Sequence, residues 1–335
     1  MLTRESSSTY LLQVIHTALF VFVSSFSCVG HAQVARMEVI SFESRTLTDE
    51  EFLDGKPGKP GKPVTIAGEL RLPRAGTERF PLVILLHGTA GITSTVTDWE
   101  QDLLAMGVAT FVVDSYTGRG IVSTINDMSR LGRLVQIEDA YRALETLQKH
   151  PRIDPARVML MGLSWGGHAA LYASLKRFQR MHGPASGREF SAYVAFYPPC
   201  NIGYRQDEDI SAKPVRIFYG SADDYIPVAA CREYVDRLRA SGKDIDLTEY
   251  PGAYHGFDSK ALVPPLKLPH AQKTRNCRVQ EAAHGELVNV ATNKPFSYDD
   301  ACVEHGLTLA YNQEDSTKAR AAVKDLLAAT GSKPH

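Results

Sequence analysis

A chain of 335 residues, 44% apolar and 22% charged, is long and apolar enough to bury a real core. Its formal net charge is −1 and it has no dense Lys/Arg block, which excludes the electrostatic footprint of a nucleic-acid binder. A small, neutral or mildly anionic partner suits that balance better.

The first elements in chain order are not part of the expected fold. Arg4 precedes the apolar run YLLQVIHTALFVFVSSF, and small residues Gly30 and Ala32 follow at the −3 and −1 positions of a cleavage site. A basic start, an apolar stretch and a small-residue site predict a signal peptide over 1–32, cleaved after Ala32, and a periplasmic or secreted protein. Gln13 and His16 interrupt the run, which is short for a membrane span, and a retained anchor is the alternative. After cleavage no membrane association is expected. Cys28 sits in SFSC, without the leucine of a lipoprotein box. Four cysteines then remain: Cys200, Cys231, Cys277 and Cys302. An even number in an exported protein predicts two disulfides. Three pairings are open, and Cys200–Cys231 with Cys277–Cys302 is favoured because each pair falls within one local region.

GKPGKPGKP (55–63) has no apolar face and reads as an exposed loop or hairpin tip. Beyond it, strands and helices alternate. VTIAGELRLP (64–73) and PLVILLHG (81–88) read as strands, the second an unbroken apolar run suited to a buried parallel strand. DWEQDLLAMG (98–107) is a helix and VATFVVD (108–114) a strand. In 130–150, Leu134, Ile137, Tyr141, Leu144 and Leu147 recur at helical spacing. RVMLMGLS (157–164) is a strand and GHAALYASLKRF (167–178) a helix. EFSAYVAFYP and PVRIFYG are strands, AACREYVDRLRASG a helix, IDLTEYPG a strand, and STKARAAVKDLLAAT a closing helix. The alternation predicts one α/β domain over 33–335, with a mostly parallel sheet covered on both faces. The polar segment 258–312 lacks periodicity. A structureless stretch of that size is unusual, and its two cysteines argue that it is ordered.

Gly162-Leu163-Ser164-Trp165-Gly166 places a serine in G-x-S-x-G between an apolar strand and a helix, the context of a nucleophile elbow. A serine hydroxyl is a weak nucleophile until a base takes its proton. The expected chain order is Ser, then acid, then His. Asp223 follows the strand ending at Gly220, with Asp224 as its immediate competitor; the loop position favours Asp223. His255 follows the next strand, flanked by small residues, whereas His168, His270, His284 and His305 do not follow a strand. The oxyanion donors expected are the Trp165 amide and, from the loop after 81–88, the Thr89 amide.

With HGTAG (87–91), VVDSYTGRG (112–120), GLSWGG (162–167), GSADDYIP (220–227) and YHGFD (254–258) in this order, the chain resembles the dienelactone hydrolase family. The resemblance spans most of 65–260 and leaves 258–312 as an elaboration. It implies the α/β-hydrolase fold, Ser164, Asp223 and His255 as a triad, and Thr89 and Trp165 as oxyanion amides. It also implies Tyr116 and Arg119 as contacts for a substrate's carboxylate. Two departures stand out: founding members carry a cysteine where this chain has Ser164, and a glutamate where it has Gly88. Both point away from dienelactone itself and toward ordinary carboxylic esters or lactones of small molecules. No HExxH or other metal signature occurs, and no cofactor is expected. The rival readings are a prolyl-oligopeptidase-like peptidase, for whose usual propeller there is no room, and a non-catalytic binding protein, which would lack a triad member.

Overall fold

In the computed structural model, residues 36–54 and 61–331 are described. The expected signal peptide, residues 1–32, and most of the Gly/Lys/Pro repeat lie outside them. The expected strands, joined by an edge strand that sequence reasoning did not mark, form an eight-stranded sheet. In chain order these are β1 (Arg36–Thr46), β2 (Lys62–Leu72), β3 (Phe80–Leu86), β4 (Ala109–Asp114), β5 (Ile153–Leu163) and β6 (Tyr193–Phe196). A two-residue strand, β7 (Ile202–Gly203), belongs to another sheet, and β8 (Val215–Gly220) and β9 (Ile245–Tyr250) complete this one. The spatial order is β1-β2-β4-β3-β5-β6-β8-β9. β2 runs antiparallel to both β1 and β4, and every other pairing is parallel. All seven residues of β3 are buried, so both faces of the sheet are covered there, as an unbroken apolar strand requires.

The covering helices are α1 (Asp49–Asp54), α2 (Ser94–Ala105), α3 (Val135–Leu147), α4 (Trp165–Tyr172), α5 (Lys176–His182), α6 (Ala229–Ala240) and α7 (Gln313–Ala329). The stripe of Leu134, Ile137, Tyr141, Leu144 and Leu147 is buried along α3. Two boundaries differ from expectation. α2 begins at Ser94 rather than Asp98, and the helix expected over 167–178 is broken into α4 and α5. At the break Ser174 Oγ donates to the Leu171 carbonyl, a local bond that competes with helix continuation. Among the described residues, no helix is long and apolar enough to cross a membrane.

The 258–312 segment is ordered. β10 (Leu266–Lys273) pairs antiparallel with β14 (Glu304–Leu309). β11 (Val279–Glu281), β12 (Leu287–Asn289) and β13 (Lys294–Pro295) join β7 in a second small sheet, ordered β13-β12-β11-β7. Disulfides link Cys200 to Cys231 and Cys277 to Cys302. Glu281 on β11 is enclosed and receives Arg177 of α5 bidentately (2.7 Å, twice), so this segment is tied to the helices as well.

Candidate active site

β5 delivers Ser164 to the top of the sheet and α4 leaves at once from Trp165. The serine takes φ 56° and ψ −114°, a region costly for a residue with a Cβ. Its N–H donates to the Phe196 carbonyl (2.9 Å), and its carbonyl accepts from His168 N–H (2.8 Å). The neighbouring glycines are required by contact. A Cβ on Gly162 would sit 1.8 Å from the Gly166 carbonyl oxygen, and one on Gly166 would sit 2.3 Å from that of Leu86. The turn therefore lies directly on the end of β3.

His255 and Asp223 reach this serine from the loops after β9 and β8. His255 Nε2 lies 3.0 Å from Ser164 Oγ, and His255 Nδ1 lies 2.6 Å from Asp223 Oδ2. All three residues are buried. Asp223 Oδ1 accepts the N–H groups of Tyr225 (2.8 Å) and Ile226 (3.0 Å), which leaves the other oxygen for the imidazole. A carboxylate can only accept, so the ring proton sits on Nδ1 and the Nε2 lone pair faces the serine hydroxyl. The competitor Asp224 points elsewhere: its Oδ1 accepts Thr308 N–H (2.9 Å) and its carbonyl accepts Arg275 Nη1 (2.8 Å).

Around the imidazole lie groups that sequence reasoning did not single out. The Tyr197 ring packs 4.3 Å from that of His255, and Tyr225 meets it edge-on at 5.0 Å. Tyr197 OH (2.9 Å) and Trp99 Nε1 (2.6 Å) both donate to Asp258, three residues past the histidine. Burial raises the Asp258 pKa, although both donors and the charge of Arg320 pull the other way. Asp258 was visible as the last letter of YHGFD, but its partner Trp99 is 159 positions away.

On the other side of Ser164 the chain turns at His87-Gly88. His87 Nδ1–H donates to the Gly88 carbonyl (2.8 Å), while Nε2 accepts Ser115 N–H (3.3 Å) and Gln136 Nε2 holds the His87 carbonyl (3.0 Å). Burial lowers the His87 pKa, so the ring stays neutral and satisfied. A Cβ on Gly88 would stand 3.2 Å from that of Ser164, so the bare backbone lets this loop close over the serine. The Thr89 carbonyl faces away, accepting Thr124 N–H (2.8 Å). Among the described residues, neither the Thr89 nor the Trp165 amide donates to another protein group.

Thr89 and Trp165 also line a narrow cleft, together with Tyr116, Met128, Arg133 and Tyr298. Tyr116 OH pairs with Thr124 Oγ1 (2.8 Å), and burial pushes its pKa up to about 12. Arg133 pairs with Asp49 (2.6 Å), and its guanidinium lies over the rings of Phe296 and Tyr298. Arg119, expected beside Tyr116 at the substrate, is instead spent inside the protein. Its five N–H groups go to Thr46 Oγ1, the Ser115 carbonyl, the Arg45 carbonyl and both oxygens of Asp139, at 2.7–3.0 Å. Among the described residues no three His, Cys, Asp or Glu side chains converge as a metal site.

A model of the dienelactone hydrolase family matches residues 66–284. A Methylorubrum extorquens protein named "Putative carboxymethylenebutenolidase" is 27% identical over 221 residues, covering 57% of this chain and 72% of that one. Among solved structures, a "Putative Dienelactone Hydrolase" of Klebsiella pneumoniae aligns with TM-score 0.55 at 16% identity, covering 87% of this chain and 99% of that one. The dienelactone hydrolase-like promiscuous phosphotriesterase P91 from metagenomic libraries aligns with TM-score 0.55 at 15% identity, covering 88% and 98%. At those identities the two structures speak for the fold.

Proposed function

The chain belongs to the dienelactone hydrolase family of α/β-hydrolases, and from that premise we propose that it cleaves carboxylic esters or lactones of small molecules through an acyl-enzyme on Ser164. The observation that carries the reading is the continuous line from Ser164 Oγ to His255 Nε2 (3.0 Å) and from Nδ1 to Asp223 (2.6 Å), ending on a serine held at φ 56°. His255 removes the hydroxyl proton as Ser164 attacks the carbonyl, and Asp223 steadies the imidazolium that forms. The developing oxyanion rests on the Thr89 and Trp165 amides, donors that need no rearrangement at the moment of reaction. His255 then protonates the leaving alcohol, and water repeats the cycle on the acyl-enzyme.

The aromatic and thioether side chains of Tyr116, Trp165, Met128 and Tyr298 beside the serine support a small substrate with a flat or cyclic part. Tyr116 keeps its expected role as a substrate contact, and its raised pKa leaves it a neutral hydrogen-bonding group. Arg119 is assigned a structural role, and Arg133 is the cation that borders the cleft. The two disulfides support export to the periplasm or medium, with 1–32 as the leader and the remainder working as one domain.

A fluorophosphonate probe and a short-chain nitrophenyl ester test this on the wild type and Ser164→Ala. The wild type is expected to label and turn over, and the variant to lose labelling and at least about 10⁴-fold in kcat. A wild type that does neither refutes the reading, and turnover surviving in Ser164→Ala refutes the nucleophile.

A further inference from the structure

The 258–312 segment reaches the loops of the site at three separate points. Ala310 N–H donates to the His255 carbonyl (3.3 Å). Arg275 and Thr308 hold Asp224, the neighbour of Asp223, by its carbonyl and its carboxylate. The third point is Gln272, whose backbone N–H donates to the Ile125 carbonyl and whose Oε1 accepts Met128 N–H, both at 2.8 Å. Met128 in turn places its sulfur 3.0 Å from the Trp165 indole nitrogen, on the residue directly after Ser164.

Gln272 arrives there because β10 is bulged. Its register with β14 runs from Leu266↔Leu309 to Leu268↔Leu307 and resumes at Gln272↔His305, so four steps on one strand oppose two on the other. Extra residues bend a strand and re-aim its side chains, and such bulges recur beside active sites. Glutamine is a mostly exposed residue type, yet Gln272 is buried, and burying an amide costs free energy unless its groups are paired. Its Oε1 is paired with Met128 N–H, its backbone N–H with Ile125, and its Nε2 donates to the Tyr298 carbonyl (3.5 Å).

We infer that Gln272 is a positioning residue for the oxyanion side of the site, acting through Met128 on Trp165. The β10–β14 pair, closed by Cys277–Cys302, is then part of the catalytic apparatus. The inference rests on the esterase reading above, and Gln272 itself touches no reacting atom.

A double-mutant cycle on the purified full-length protein tests it, with the short-chain nitrophenyl ester as substrate. Gln272→Met removes the acceptor for Met128 N–H at nearly constant volume, and Met128→Leu removes the sulfur under the indole. Each is expected to lower kcat about tenfold with KM within about twofold, because small misplacements of catalytic groups act on the transition state. Tryptophan emission, which arises from Trp99 and Trp165 alone, is expected to shift in both. If the two residues form one relay, the double variant is also only about tenfold below wild type, rather than about a hundredfold. An unchanged kcat in a folded Gln272→Met overturns the inference, and so does full additivity. Should Gln272→Met fail to fold, unchanged kcat in Met128→Leu overturns it equally. A wild type that neither turns over nor labels refutes the esterase reading instead.

Discussion

Acidification from about pH 7 to about pH 5 is expected to cost the protein about 2 kcal/mol through His168 alone. This residue lies inside α4, with Nδ1 3.0 Å from the Pro199 carbonyl and Nε2 3.0 Å from Tyr204 OH. A carbonyl only accepts, so the neutral ring donates from Nδ1 and accepts the tyrosine proton at Nε2, and both nitrogens are satisfied. Burial pulls its pKa from the ordinary 6.5 down to about 4, helped by the charge of Arg133 and opposed by the Pro199 carbonyl. The unfolded chain therefore takes up a proton near 6.5 while the folded one resists until about 4. Stability is complete above the unfolded value and is lost as pH falls through that window, by about 3 kcal/mol in all. His87, also lowered by burial, adds in the same direction, whereas Asp258, raised by burial, favours the folded state at low pH. Comparison with His168→Gln cancels both, because glutamine offers a donor and an acceptor but does not titrate in this range. Urea unfolding of the two proteins at about pH 7 and about pH 5 measures the difference, and an equal loss in both would refute the reasoning.

Gly162→Ala is expected to abolish turnover and cost about 3 kcal/mol or more, since its new methyl would lie 1.8 Å from a backbone oxygen that cannot step aside; activity and thermal unfolding report it. Arg119→Met breaks a buried pair with Asp139 and is expected to cost about 3–5 kcal/mol, yet to leave the KM ratio of anionic to neutral esters unchanged. A selective rise in KM for the anionic ester would return Arg119 to the substrate. Replacing Cys277 and Cys302 by serine opens a loop with a 25-residue separation, for which chain entropy predicts about 3.5 kcal/mol of destabilisation, read from urea midpoints.

The Ser164–His255–Asp223 arrangement was legible because its signals are local. Glycine spacing marks the elbow, unbroken apolar runs mark β3, β4 and β5, and helical periodicity marks α3. What was not legible depends on distance. β1 was missed because it is an edge strand whose residues are largely exposed or half-buried, so its alternation is diluted by charge. The short strands of 258–312 have no periodicity of their own, and one of them pairs with β7 more than 70 positions earlier. Arg119 sits in a stretch that resembles a substrate-binding loop, but its partners Asp139, Thr46 and Arg45 lie 20 to 74 positions away. No local feature distinguishes an arginine reaching outward from one reaching in.

The limits of the family match cut through the structure rather than between its parts. Residue 66 falls within β2, whose partner β1 lies wholly outside the match and supplies two of the acceptors around Arg119. Residue 284 falls between β11 and β12, ahead of Thr308 and Ala310, which hold the Asp224 and His255 loops. A chain trimmed to its recognisable stretch would keep Ser164, Asp223 and His255 while losing a sheet partner at one end and two of their loop supports at the other. Anyone grafting or minimising this site has to move residues 36–331 as one piece.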